Sequence, residues 1–570
     1  MNIQDMIEFL FPNGTQSNEN FNFGKSVENC PSWPSDTFAF TATIMEKAVL
    51  LNPKKFTRRK SISSVASEWK DNFSPPSEIK RSWSYIYKKR LTAIDQIYRD
   101  EKLVSEIHFL FTCSDEASAG LGWGLDFQDS VFSGLLFPKL MKIDNLQAIT
   151  SQKLECLRPP YFPFSLCYAI PPQRAVVTPK SICPSVGFSI RSLSHHLALH
   201  EAQPKLKISW NSLQNVESLS PENFLLSDET RFNALFIPYP FEMKATAIRP
   251  RCPPKASKKN IKKFGYFELD PSWIPGFGKE QPCEIAKNIY NDLVKPLLLE
   301  SRRHYKKIDC VIFPECSLTE EVSYELARIL ARDEYINGLR ILISGVISSV
   351  PNKIPKNKAM SYFLVDNEEF FQYEHSKHHR WKLDVAQTQR YNFSSFPADS
   401  NVDWWEHIDV AERHLPFYTI QRDACIAVLV CEDLARNDPA LPAVRAIGPN
   451  LVIALLMDGP QLTTRWPARY ATVLADDPGS AILSVTSAAM VDRSNRQETN
   501  GVRSVALWKH HTGKTQHLIL PDRHHGFLLS LAAMQSQQVT MDNRTDDNAV
   551  RFELMGAEPL KISNPAQWLG

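Results

Sequence analysis

Glycine is scarce in this chain, 20 residues of 570, while proline is plentiful at 39. Such a chain is expected to hold many extended connections, gathered outside its periodic segments. Cysteine is sparse and odd in number, at 11, which excludes a disulfide scaffold. No CxxC pair occurs, so a structural zinc site is not expected. The cysteines sit mostly among apolar residues, as at Cys167, Cys310, Cys425 and Cys431, and the expected compartment is reducing and cytoplasmic. No run of about 18 apolar residues is present, so no membrane-spanning helix is expected. The first residues, Met1-Asn2-Ile3-Gln4-Asp5, lack the basic start and apolar core of a secretory signal. Charge is nearly balanced at +2, which gives no global pull toward nucleic acid or membrane. No internal repeat is visible. What remains is 43% apolar and 22% charged residues, enough for a sizeable core in two to four domains of about 150 residues.

Residues 1–40 read as a loose start and 41–110 as mainly helical, with Ile107–Thr112 as a strand. The stretch Ile79–Leu91 mixes aromatics with bases. An amphipathic helix with a solvated basic face is the expectation, with stacking on nucleic acid as the alternative. Lys54–Lys60 reads the same way. Residues 151–190 are proline-rich and irregular. His195, His196 and His200 lie close together, but acids or thiols at ligand spacing are lacking nearby, so packing or hydrogen bonding is expected rather than metal. The segment 244–264 is basic, with Arg249, Arg251, Lys255, Lys258, Lys259, Lys262 and Lys263; it reads as a surface loop, with gating a site or binding an anion as the alternative. From about 233 to 532 strands and helices alternate, the signature of a layered α/β fold. Residues 381–420 read as loop, and 533–570 as a polar tail that packs back or lies on a partner.

Within that alternation two apolar runs and a hairpin end in chemistry. Cys310–Phe313 leads to Pro314-Glu315, a hairpin leads to Lys377, and Ile426–Val430 leads to Cys431-Glu432-Asp433. Strand ends of such folds face one rim, where ligands bind. A carboxylate beside a thiol can take its proton. An ammonium can hold a tetrahedral oxyanion, and the backbone amide of Glu432 can add a second donor. Taken singly, each residue has a plainer reading: buried cysteines are mostly inert, and lone Glu or Lys mostly lie at the surface. Order and context together raise the set above that.

These residues resemble the motifs of the nitrilase, or carbon–nitrogen hydrolase, superfamily. Val311-Ile312-Phe313-Pro314-Glu315, Lys377-His378-His379 and Val428-Leu429-Val430-Cys431 look like its three signature stretches. Gly448–Ile453 and Arg469–Val485 look like the strand and helix–strand that follow. The resemblance covers residues 231–535. It implies an αββα four-layer sandwich, preceded by a mainly helical, irregular α+β region over 1–230 and followed by a tail over 536–570. It implies hydrolysis of an amide or nitrile, of glutaminase type by the Cys-Glu-Asp triplet, with Cys431 as nucleophile, Glu315 as general base, Lys377 on the intermediate and a thioester on the path. No metal or organic cofactor is implied. A further glutamate supports the lysine in the family; Glu406 and Glu412 are the candidates, Glu406 preferred, and Glu432 supports the site. The family pairs readily, so a homodimer is implied.

Departures bear on substrate. Leu434–Pro439 does not follow the family continuation, and Met457-Asp458-Gly459-Pro460 replaces its small polar run. Asp458, Arg465 and Trp466 are therefore candidates to line an unusual pocket, with Asp458 and Trp466 as substrate-binding residues; a structural role is the alternative. No SGGxDS-type loop appears, so NAD synthesis is not expected. The stretch from Pro179 through Arg191–Leu199 to Trp210 is similar to the segment that precedes a nitrilase-like domain in bacterial defence proteins associated with reverse transcriptases. That second resemblance implies an alternative role, an assembly module of an antiviral system with a reverse transcriptase or a nucleic-acid-linked partner and catalysis secondary or absent. No double-aspartate strand turn occurs in 1–230, so polymerisation is not expected. Acyl transfer to an amine is a third option; it calls for an acceptor pocket or a membrane anchor, and no anchor is seen.

Overall fold

The computed structural model describes residues 1–15, 26–51, 62–72, 74–123, 159–184, 186–202, 206–212, 231–252, 263–333, 339–348, 353–364, 370–397, 402–421, 424–496, 498 and 500–569. The run Lys54–Lys60 and the lysines at 255, 258, 259 and 262 lie outside these residues.

The chain opens on a helix rather than a loose segment. Asn2 accepts from the backbone N–H of Asp5 while Asp5 accepts from that of Asn2, a reciprocal cap that fixes the first turn of Ile3–Leu10. Helices Pro34–Lys47, Ile62–Asn72, Ser77–Lys88 and Glu101–Ala117 follow and share a core that includes Phe38, Phe40, Trp69, Trp83 and Phe111. Ser77–Lys88 is the amphipathic helix expected: Ile79, Trp83 and Ile86 are buried at helical spacing. The expected strand at Ile107–Thr112 is instead the middle of Glu101–Ala117. Asp100 caps that helix by accepting from Leu103 N at 3.0 Å. That helix is buried almost all round, at positions 103, 104, 106–115 and 117, and a short apolar run inside it has no period of its own.

In chain order the strands are β1 (Ala175–Pro179), β2 (Leu197–Glu201), β3 (Lys207–Ser212), β4 (Arg231–Phe236), β5 (Ile248–Cys252), β6 (Lys263–Leu269) and β7 (Cys310–Thr319). Then come β8 (Ile341–Ser348), β9 (Lys356–Leu364), β10 (Phe370–Ser376), β11 (Lys382–Leu383), β12 (Val402–Glu406) and β13 (His414–Gln421). The last are β14 (Ala424–Val430), β15 (Leu451–Leu456), β16 (Ala481–Thr486), β17 (Ser504–Lys509), β18 (Thr515–Ile519), β19 (Gly526–Val539) and β20 (Thr545–Leu560).

Two seven-stranded sheets, ordered β10-β9-β8-β7-β4-β19-β20 and β18-β17-β16-β15-β14-β13-β3, face each other through β7, β9 and β10 on one side and β13, β14, β15 and β16 on the other. Helices Pro282–Ile289, Lys295–His304 and Glu320–Arg332 cover the first sheet. Trp466–Asp476 packs on β16 and β17 of the second, with Ala440–Ile447 beside it at the turn after β14. This is the four-layer αββα sandwich. Its central strands are buried on both faces: β14, β15 and β16 carry no exposed residue, which is why they read as unbroken apolar runs.

Residues 381–420 are more than loop. β11 and β12 join β5 and β6 in a four-stranded sheet, order β11-β12-β6-β5, and β13 enters the second large sheet. Residues after 532 are likewise structured, since β19 pairs with β20 along most of its length. β20 lies at the edge of its sheet and buries only a sparse set including Phe552 and Leu560, so its composition stays polar. β3, upstream of residue 231, pairs parallel with β13 and closes the edge of the second sheet.

Candidate active site

The parallel strands β7, β14 and β15 all deliver their carboxyl ends to one rim. β7 breaks register with β8 between Phe313 and Leu318, and the bulge turns Glu315 inward. Gly345 on β8 makes this possible: a Cβ there would lie 2.4 Å from Glu315 Cα and from Pro314 O. At the end of β14 the chain turns sharply into the short helix Cys431–Leu434. Cys431 sits there at φ 46°, a left-handed conformation costly for a side-chain-bearing residue. Such a turn holds a side chain out of the sheet edge.

Lys377 follows β10 and lies between two carboxylates, donating to Glu315 Oε1 at 2.9 Å and to Glu406 Oε2 at 2.7 Å. Asn357, on the neighbouring β9, donates through Nδ2 to the same two residues, at 2.8 Å to Glu315 Oε1 and 2.9 Å to Glu406 Oε1. Glu406 also accepts from Trp381 N at 3.0 Å. All four side chains are buried. Glu315 Oε2 has no partner among the described residues. It is the oxygen left over for a proton.

One ammonium stands between two carboxylates in a buried site. Burial, offset in part by Lys377, raises the Glu315 carboxyl above its ordinary value. Burial pulls the Lys377 ammonium down, but Glu315 and Glu406 outweigh it and hold the group charged. Burial and then Glu315 push the Cys431 thiol well above a free cysteine's value, with Lys377 opposing. A thiol in this state needs a base as it reacts, and a carboxylate with a raised pKa is a stronger base.

The loop that carries Lys377 is tied down by Asp433, which sequence reading passed over in favour of its neighbour. Asp433 is fully buried. It accepts from His375 Nε2 at 3.0 Å, from His379 Nδ1 at 3.0 Å, and from the backbone N–H of His378 at 3.0 and 3.1 Å. His375 Nδ1 faces the carbonyl of His414 at 2.8 Å, so the ring is held at both its nitrogens. Burial opposes ionisation of Asp433, yet the His375 and His379 contacts hold its carboxyl far below the ordinary range. The thiol turn and the lysine loop are thus pinned to each other.

The other predicted residues separate. Glu412 is exposed and pairs with Lys356, away from Lys377. The Glu432 carboxylate turns to Arg436, 3.2 Å away. Asp458, after β15, accepts from Tyr391 Oη and from Arg465 Nη2, each at 2.6 Å, and its Oδ2 is buried without a partner among the described residues. Its charge acts on Cys431. Trp466 starts the helix Trp466–Asp476 with its ring edge-on to Tyr470. Apolar walls come from a cluster including Cys316, Trp381, Tyr391 and Met457. A cavity of about 510 Å³ opens nearby, its wall including Tyr239, Trp273 and Arg493. Ser317, two residues past Glu315, donates to Tyr239 O and accepts from Trp273 Nε1.

Among the described residues, two sets of side chains bring metal-ligand atoms within 4.8 Å: His375, His378 and Asp433, and Glu116, His195 and His196. In the first, the His375–Asp433 contact already serves the loop clamp. In the second, distant folding supplies the acid that sequence proximity lacked, but the Arg544 guanidinium stands 2.5 Å from Glu116 and fills the place of a cation. No helix among the described residues is long and apolar enough to cross a membrane.

No family model matches the sequence, and no curated protein matches it. Solved structures similar to it include glutamine-dependent NAD+ synthetase from Acinetobacter baumannii, at 11% identity over 58% of this chain and 48% of that one, TM-score 0.31. The chain spans about half the length of that synthetase. Saccharomyces cerevisiae Nit3 is similar at 11% identity over 51% of this chain and 88% of its own, TM-score 0.30. A carbon–nitrogen hydrolase from Helicobacter pylori is similar at 9% identity over 58% and 90%, TM-score 0.26. The structural neighbours of this chain are thus members of the nitrilase, or carbon–nitrogen hydrolase, superfamily, at low identity and partial coverage.

Proposed function

We propose that this protein hydrolyses a non-peptide carbon–nitrogen bond of a small amide or nitrile with Cys431 as nucleophile. The observation that carries the reading is the buried Glu315–Lys377–Glu406 cluster set beside a cysteine in a left-handed turn at the same rim. For an amide, Glu315 takes the thiol proton as sulfur bonds to the carbonyl carbon. The carbonyl oxygen becomes an oxyanion beside the Lys377 ammonium and within reach of backbone donors at the turn. The C–N bond breaks, Glu315 returns its proton to nitrogen, and ammonia leaves. Water then attacks the thioester, gives its proton to Glu315, and the acid and free thiol are released. Glu406, Asn357 and Asp433 are positioning residues: they hold the lysine and its loop. The test is ammonia release from a panel of primary amides and nitriles, glutamine included. Turnover by wild type and its loss in Cys431→Ala and Glu315→Gln is the expected result. Turnover that survives Cys431→Ala overturns the reading.

A further inference from the structure

A second cavity, of about 450 Å³, lies on the far side of the lysine loop, against the small four-stranded sheet. Its wall is made by Phe264, Tyr266 and Trp405 from β6 and β12 and by His378, Arg380 and Arg413. No carboxylate lines it among the described residues. The acids of this sheet are engaged elsewhere: Glu268 with Arg249 at 3.0 Å, and Asp403 with Lys382 at 2.9 Å. Among the described residues, Arg380 and Arg413 donate only to backbone carbonyls, of Ile408 and Val410. Arg380 Nε is buried with no partner among the described residues, and neither ring nitrogen of His378 has one; burial pushes that imidazole down to about 3, so one of its two nitrogens is a donor. A protein does not ordinarily leave buried donors unmet, and guanidinium groups are matched to phosphate oxygens.

The aromatic side is equally unspent. Phe264 is 63% exposed and Tyr266 is 38% exposed, and they meet edge to face at 6.3 Å. Rings of this kind standing on a strand face are platforms for a flat base, and their exposure costs solvation unless something covers them. Lys382, paired with Asp403, stands 5.8 Å over the Trp405 ring.

We propose that this cavity binds a nucleoside phosphate, with the base against Phe264, Tyr266 and Trp405 and the phosphate on Arg380, Arg413 and His378. The volume suits a ligand of that size. The site is separate from the thiol rim, yet Lys377 and Arg380 share one loop, so a bound phosphate touches the backbone that holds the ammonium. Free nucleotide and the end of a single-stranded nucleic acid present the same chemistry, and competition tells them apart.

The experiment is isothermal titration calorimetry of the full chain with ATP, adenosine, inorganic pyrophosphate and an eight-residue oligouridylate. ATP is expected to bind. Arg413→Ala is expected to weaken it about tenfold or more, and Phe264→Ala, at a side chain too exposed to matter for folding, to weaken it as well. Adenosine, lacking the phosphate, is expected to bind far more weakly. If the oligonucleotide binds and ATP displaces it, a strand is the source; if ATP alone binds, free nucleotide is. No heat from ATP, pyrophosphate or the oligonucleotide would overturn the proposal. So would ATP affinity unchanged in both variants, or adenosine binding as tightly as ATP.

Discussion

At the scale of single residues the site is a problem of charge. Two carboxylates and one ammonium share a buried volume, and Glu406 is the member that does not face a free coordination position. Glu406→Gln can keep an oxygen toward Lys377 and Trp381 N only by turning its amide N–H toward Asn357, and it loses the charge that holds Lys377. Turnover of an amide substrate is expected to fall about 10²-fold. Because burial raises the Glu315 carboxyl, the acid limb of the kcat/KM profile is expected above the ordinary glutamate value of about 4.3, and Glu315→Gln should abolish that limb with the activity. Asp433 titrates the other way. Its carboxyl is held below the unfolded value by His375 and His379, so its stabilisation is fully present above about pH 4 and is lost as pH falls below that. Asp433→Asn leaves one acceptor oxygen where two serve His375, His379 and the His378 backbone. It is expected to cost about 1–3 kcal/mol in urea unfolding at pH 7 and to flatten the acid side of the stability profile.

At the scale of elements, the account rests on how strands end. Gly345 lets β7 bulge against β8, and Gly345→Ala must shift Glu315 because backbone atoms lie 2.4 Å from the added carbon. A shift of that order is expected to cost about 10²-fold in turnover, while near-normal circular dichroism shows the sheet intact. The strand ends were legible in the sequence. Doubly buried strands leave unbroken apolar runs, and Glu315 and Cys431 stand out where those runs stop, while Lys377 follows the edge strand β10. Asn357, Gly345 and Asp433 were not legible, since each acts across strands whose register the sequence does not reveal. Glu406 and Glu412 could not be separated for the same reason; only the pairing of β12 with β6 puts one in the core and leaves the other in solvent. The run Ile107–Thr112 misled because six apolar-rich residues carry no period. β20 went unseen because an edge strand with few buried side chains looks like a tail.

At the scale of the whole molecule, the helical N-terminal unit and the sandwich are bolted together by the turn between β19 and β20. Arg544 donates to Asp115 Oδ2 at 2.9 Å and to Glu116 Oε1 at 2.5 Å, and Asp542 lies 3.5 Å from His108. Asp115 in turn accepts from the backbone of His195, His196 and Leu197, which starts β2. Arg544→Ala strands these buried acids and is expected to destabilise the chain by about 3–5 kcal/mol, read by denaturant unfolding. Hydrogen exchange should rise first at β2 and at the tip of the β19–β20 hairpin. The catalytic rim lies away from this bolt, so the variant's turnover per folded molecule should change little. The most direct test of the central claim, that Cys431 is a nucleophile served by Glu315, is mass spectrometry of the protein after brief exposure to p-nitrophenyl acetate. The account predicts one acetyl group, mapped to Cys431, absent in Cys431→Ala and strongly reduced in Glu315→Gln. Acetylation spread over several cysteines, or labelling of Cys431 indifferent to Glu315→Gln, would contradict it.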